Sequence, residues 1–205
     1  MAEILIDIIS EGPSTDVAIL NVRQSLPNAI VCVNIPDMVD RIQRQLGAQG
    51  SIKRLRIFGH GAPGLACVGN VPATLSLANE NQQIQMNSSK IITLIEQIGI
   101  NRQGVVMQRN HALLNEDRLA LLRGRFSRQG WVELHACKVA HGAPGEALLK
   151  KLASVWQVQV KGGVVDQVAG GGLEGTSLVA YPSGQIQSRP PSPPAHTSAG
   201  CAVGW

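Results

Sequence analysis

Two apolar runs in this chain each lead to a residue that can do chemistry. Ile57-Phe58-Gly59-His60-Gly61 carries an imidazole, and Val132-Glu133-Leu134-His135-Ala136-Cys137 ends on a thiol. If both runs are parallel, adjacent strands, His60 and Cys137 emerge together at one edge of a sheet. A base beside a thiol is the minimum machinery of a cysteine nucleophile, which forms an acyl-enzyme and is released by water. Taken alone, Cys137 at a strand end reads as a small buried hydrophobe. The matching His60-Gly61 tips the reading toward chemistry.

Three other chemistries fit the same residues less well. Gly59-His60-Gly61-Ala62-Pro63-Gly64 matches G-x-G-x-x-G in letters. A dinucleotide site needs those glycines to open a helix, and Pro63 followed by Leu65-Ala66-Cys67-Val68 leaves none, so nucleotide binding is rejected. The order Cys137, Asp166, His196 would suit an α/β-hydrolase esterase. That fold needs a nucleophile elbow, and the chain has no G-x-S-x-G or cysteine equivalent. His60, His135, Cys137 and His141 could be assembled into a zinc set, but His-x-Cys-x3-His is not a usual ligand spacing. No metal and no cofactor is expected.

The elements that must hold these residues alternate. Ile4–Ile9 reads as a buried strand, Asp16–Leu26 as a helix capped by Ser14 or Thr15, and Ala29–Val33 as a second strand. Pro36 opens a helix with Val39, Ile42 and Leu46 on one face, and Gly47 closes it. Ile52–Phe58 is the third strand. Such alternation indicates a mostly parallel sheet with helices on its faces. Leu65–Val71 reads as a hairpin arm and 78–86 as polar and exposed. Ser88–Ile98 reads as a helix, with Ile91, Leu94, Ile95 and Ile98 on one stripe before Gly99. Asn115 caps a helix from Glu116 to Arg123, stopped by Gly124; His111 falls in a surface loop. Trp131–Ala136 is the next central strand, and Pro144 opens a helix with Leu148, Leu149, Leu152 and Trp156 facing inward. Val158–Val160 and Thr176–Tyr181 are the last strands, around a loop at Gly170-Gly171-Gly172. The domain is expected over 1–186, with a Pro-rich, disordered tail over 187–205.

Composition narrows the classes. At 205 residues and 44% hydrophobic content, one α/β domain is the natural size. Aromatics at 3% leave the core to Ile, Leu, Val and Ala. The net charge of +4 comes from scattered Lys and Arg, without the basic stripe of a nucleic-acid binder. No apolar run approaches the ~20 residues that cross a bilayer. Met1-Ala2-Glu3 lacks the basic flank of a secretory signal. Cys32, Cys67, Cys137 and Cys201 form no paired framework, so free thiols in a reducing cytoplasm are expected, or export as an effector by a signal-independent route.

Strand, His60-Gly61, strand, Ala136-Cys137: this order resembles the caspase-like superfamily (clan CD) of cysteine peptidases, which includes caspases, legumain, gingipains, clostripain and separase. The segments IKRLRIFGHGAPG and VELHACKVAHGAPGEALLKKLA look most like the caspase-like domain of unknown function in large bacterial surface proteins. The resemblance spans most of 1–185 and implies a three-layer α/β sandwich with strand order near 2-1-3-4. It implies Cys137 as nucleophile and His60 as base, ahead of the competitors His135 and His141. The Gly61 and Cys137 amides would form the oxyanion hole. His135, two before the nucleophile, would line the pocket for the substrate residue preceding the cut. Caspases have Q-A-C-[RQG]-G where this chain has His135-Ala136-Cys137-Lys138-Val139, and their interval of about 50 residues is 77 here. Lys138 and the helix at Pro144 would favour thiolate. The expected function is an endopeptidase acting on peptide or protein substrates, with self-cleavage at Arg102 or Arg109 as an extension. A catalytically inactive interaction module is the main alternative, because fold does not fix function. Specificity and oligomeric state are not legible.

Overall fold

The computed structural model describes residues 2–70, 88–100, 106–167 and 172–191, with the main chain alone at 96–100 and 106–110. The chain is α/β. Among the described residues the strands are β1 (Glu3–Ser10), β2 (Ile30–Cys32), β3 (Ser51–Phe58), β4 (Gly61–Ala62), β5 (Leu65–Cys67), β6 (Ile91–Ile100), β7 (Val106–Leu113), β8 (Phe126–His135), β9 (Gln159–Gly163), β10 (Ser177–Ala180) and β11 (Ile186–Arg189). The helices are α1 (Val17–Ser25), α2 (Ile35–Leu46), α3 (Glu116–Ala120) and α4 (Gly142–Trp156). The main sheet runs β11-β10-β9-β8-β3-β1-β2, and a second, antiparallel sheet runs β4-β5-β6-β7. From β2 to β9 the main sheet is parallel; β10 and β11 turn antiparallel.

Alternate residues of a strand face opposite ways. Ile6 and Ile8, Leu55 and Ile57, Val132 and Leu134 therefore send one set of side chains into the main core, against α2, α3 and α4. α2 is built for that face: Ile35, Met38, Val39, Ile42 and Leu46 follow helical spacing and are buried. Each such burial stabilises by roughly 1.5–3 kcal/mol. Asn34 accepts from the Asp37 N–H at 2.8 Å to start the helix, and Gly47 (φ 58°) ends it. On the opposite face, α1 covers Ile9 and Phe58 with Ile19 and Val22.

The rest of that second face is polar. Asp7, Arg56, Glu133 and Lys161 sit at consecutive register positions across β1, β3, β8 and β9. Their charges alternate, with a two-pronged Arg56–Asp7 pair at 2.6 Å and Lys161 3.7 Å from Glu133.

Several boundaries differ from the sequence reading. Ser88–Lys90 is a short 3-10 turn and Ile91–Ile100 a strand, not a helix. Ile91, Ile92 and Thr93 are all buried in succession, which a one-sided helix cannot do, and β6 is hydrogen-bonded between β5 and β7. Its β-branched residues also suit a strand. The cap of α1 is Asp16, not Ser14 or Thr15. β8 starts at Phe126, and α3 ends at Ala120 before turns that reach Gly124. His111 is exposed as expected, but on β7. β11 pairs with β10 and carries the sheet to Arg189, past the expected boundary at 186. The polar 78–86 stretch, Val71, Gly170, Gly171, Arg102, His196 and Cys201 lie outside the described residues. Among the described residues no helix is long and apolar enough to cross a membrane.

Candidate functional site

β3 and β8 are parallel neighbours, and their last paired residues are Phe58 and His135. His60 and Cys137 each stand two residues beyond that pair, at the carboxyl edge of the sheet where open α/β sheets bind ligands. The chain segments that carry them touch. A Cβ on Gly61 would lie 2.6 Å from the Ala136 Cβ and 3.0 Å from the Cys137 carbonyl oxygen, so only glycine fits that approach. The Gly64 N–H donates to the Val139 carbonyl at 3.0 Å, and Gly64 (φ 74°) has no space for a Cβ beside Pro144. The two His-Gly-Ala-Pro-Gly strings (60–64 and 141–145) therefore meet, one as a hairpin turn and the other as the start of α4.

His60 is held from the far side. Its Nε2 lies 2.6 Å from Asp16 Oδ2, while Asp16 Oδ1 accepts from the Ile19 N–H at 3.2 Å. One carboxylate thus caps α1 and orients the imidazole. Asp16 is a site residue the sequence reading missed. The available signal was an acidic residue at the head of the first helix, just past the first strand, at the edge where site residues converge.

Cys137 is half-buried. Its Sγ accepts from the Gln167 N–H at 3.5 Å and faces the Gln167 carbonyl at 3.9 Å. Burial pushes the thiol above its ordinary value, against the Gln167 N–H, which pulls it down; Asp166 adds to the rise and Lys138 opposes it. Lys138 favours the thiolate as expected, but burial and Asp166, with which Lys138 pairs at 3.2 Å, outweigh it. Cys32 and Cys67, deeper still, are pushed up to about 12 by burial. Lys138 has φ 53°, a left-handed conformation rare for a residue with a Cβ and concentrated at functional sites. The turn directs its N–H to the Val165 carbonyl at 3.0 Å.

The loop beside the thiol is pinned by one side chain. Gln167 is buried; its Nε2 donates to the Val165 and Glu174 carbonyls, and its Oε1 accepts from the Glu174 N–H. A Cβ on Gly163 would overlap that amide. Gly163→Ala is expected to eject Gln167 from its three bonds and cost about 1–3 kcal/mol, measured as a lower unfolding midpoint in urea.

Among the described residues, neither the Gly61 nor the Cys137 N–H is used in a main-chain bond. In the antiparallel pair Gly61↔Ala66, the bond from the Cys67 N–H to the His60 carbonyl marks a non-hydrogen-bonded pair, so the Gly61 N–H points away from β5.

His135 and His141 stand elsewhere. The His135 ring is buried, stacked on Phe58 at a centroid distance of 4.4 Å, with Nε2 3.2 Å from Glu133 Oε2. Burial holds its pKa below the usual histidine value, so the ring is neutral and donates to Glu133. With its side chain 2% exposed, it does not line an open pocket, unlike its expected place. His141 is exposed at the start of α4, making no side-chain cap bond. Among the described residues no group of three or more His, Cys, Asp or Glu side chains could hold a metal ion. Two cavities, of about 350 and 370 Å³, are lined by Leu5, Asp7 and Leu26 and by Glu3, Ser51 and Arg125, away from both His60 and Cys137. No family model matches the chain, and no curated protein or solved structure matches it either.

Proposed function

We propose that this chain is a cysteine endopeptidase of the caspase-like kind. The observation that carries the reading is the register Phe58↔His135, with His60 and Cys137 two residues further on and Gly61 packed against Ala136-Cys137. The parallel order β2-β1-β3-β8 with helices on both faces supports a caspase-like sandwich. Free Cys32, Cys67 and Cys137 suit a reducing compartment such as the cytoplasm. The substrate is a peptide or protein; neither nucleic acid nor membrane is a partner in this reading.

The steps follow from the groups present. His60, with Nε2 on Asp16, takes the Cys137 proton through Nδ1. The sulfur then attacks the substrate carbonyl carbon, and the oxygen's charge is met by the Gly61 and Cys137 N–H groups. Donors aimed in this way are worth about 3 kcal/mol each in the transition state. The imidazolium, supported by the Asp16 carboxylate, returns its proton to the departing amine. The thioester is hydrolysed by a water that gives its proton to His60. A thiol that is neutral at rest needs such a base.

A labelled peptide library incubated with wild type and with Cys137→Ala tests the reading. Cleavage by wild type alone is the expected result; no cleavage by either is the result against it. The inactive interaction module is the second reading, favoured by the raised thiol pKa. Hydrolysis of small esters without peptides would point to the esterase. Of the two self-cleavage positions, Arg109 lies in β7, paired along one side with Ile98 of β6, which weighs against it as an open site.

A further inference from the structure

The segment Val165–Gln167, between β9 and β10, sits directly on Cys137 and is fixed there by several independent contacts. The Gln167 main chain engages the sulfur through both its N–H and its carbonyl. The Val165 carbonyl takes the Lys138 N–H, and the neighbouring Gly163 carbonyl takes the Ala140 N–H, both at 3.0 Å. Asp166 pairs with the Lys138 ammonium at 3.2 Å, and these two side chains are about half exposed (51% and 49%). They are the charges that this segment and the turn after β8 bring to the thiol; from the end of β3, the third element packed there, the titratable group is His60. The other contacts are main-chain bonds and the buried Gln167 side chain, so the ion pair is the most easily broken one.

The chemistry at the sulfur follows. As a thiol, Cys137 donates toward the Gln167 carbonyl; as a thiolate, it would accept from the Gln167 N–H. The same residue can therefore serve either protonation state, and the neighbouring charges decide between them. Asp166 both disfavours negative charge on the sulfur and occupies the cation that would favour it.

We propose that Val165–Gln167 is a strap holding Cys137 in its resting form, with Asp166 as the positioning residue that governs it, so that the nucleophile is released when the Lys138–Asp166 pair opens. Its regulatory meaning rests on the peptidase reading, but its test does not.

The experiment is alkylation of full-length protein by iodoacetamide, a neutral reagent, across pH 6–10, with each cysteine followed by peptide mapping. In wild type, Cys137 should label more slowly than a small-molecule thiol at pH 7, and Cys32 and Cys67 should stay unlabelled. Asp166→Asn should speed Cys137 labelling roughly three- to tenfold at pH 7 and move its inflection to lower pH, since one pKa unit is a tenfold change in thiolate. Lys138→Gln should move both the other way. A purely structural role for Asp166 would leave the inflection in place. If Asp166→Asn also exposes Cys32 and Cys67, the fold has opened, and Asp166→Ser decides by the same criterion. Unchanged or slower Cys137 labelling in the folded variant overturns the proposal, as does wild-type labelling as fast as a free thiol. Faster labelling with no peptide cleavage by any variant would uphold the strap and remove the peptidase. Cleavage that depends on Cys137 but labelling indifferent to Asp166 would do the reverse.

Discussion

His60→Ala is expected to slow peptide hydrolysis by about a thousandfold while leaving the unfolding midpoint close to that of wild type. The magnitude is that of a positioned acid–base group, about 10²–10⁴, and it should fall mainly on kcat. The ring is partly exposed, with a side chain 23% accessible, so its removal opens no large core cavity. Asp16→Ala should cost roughly ten- to a hundredfold, because a misdirected imidazole loses alignment, not identity. The double variant is the sharper measurement. If Asp16 acts through His60, removing it from His60→Ala changes nothing further. Equal losses that simply multiply would show that Asp16 acts elsewhere, for instance only as the cap of α1.

Much of this geometry could be read from the chain before any coordinates. Alternating strands and helices, Pro36 and Gly47 around α2, and the inward stripe of α4 are local signals, and each predicts an observed element. That His60 and Cys137 follow neighbouring strand ends was legible because a parallel sheet aligns those ends. What failed was what depends on distant partners. Ile91, Leu94, Ile95 and Ile98 make a fair helical stripe, and only the docking of β5 and β7 decides for a strand. The polar run Ser127-Arg128-Gln129 hid the beginning of β8, and Ile186–Arg189 joins the sheet only because β10 is beside it. The bond between Asp16 and His60 joins residues 44 positions apart. The grip of Gln167 on Cys137 is made by main-chain atoms, which no side-chain motif reports.

Glu133→Gln should destabilise the fold by about 3 kcal/mol at pH 7, a cost that shrinks as acid protonates the wild-type carboxyl. Burial raises the Glu133 carboxyl, but bonds from His135 and Trp131 and the charge of Lys161 overcome it, holding the group at about 2 instead of 4.5. One pKa unit corresponds to about 1.4 kcal/mol, which gives the stated cost. The sign is fixed by the direction: the folded carboxyl is depressed, so its stabilisation is whole above pH 4.5 and disappears as pH falls toward 2. Urea unfolding across that interval should show wild type losing the Glu133 contribution that the variant lacks, so the gap between the two curves narrows as pH falls from 4.5 toward 2. His135 adds a separate window. Its folded pKa is depressed by burial, so the unfolded chain takes up a proton first and stability begins to fall below about 6.5. That earlier decline occurs in both proteins and runs deeper in the variant, where His135 has lost the Glu133 charge that raises it. Parallel curves from pH 5 to pH 2 would mean that Glu133 contributes no more than an ordinary exposed carboxylate.

The close approach of Gly64 to Pro144 fixes the hairpin after β3 against the start of α4, two distant parts of the chain. A hatch fixed along one side can swing only from the other. In the peptidase reading, the side left to yield to a substrate is the turn after β9, opposite the Gly64–Pro144 contact. Large, rigid substrates would be sorted by how far that one side yields, and short flexible peptides would slip in at nearly the same rate whatever its stiffness.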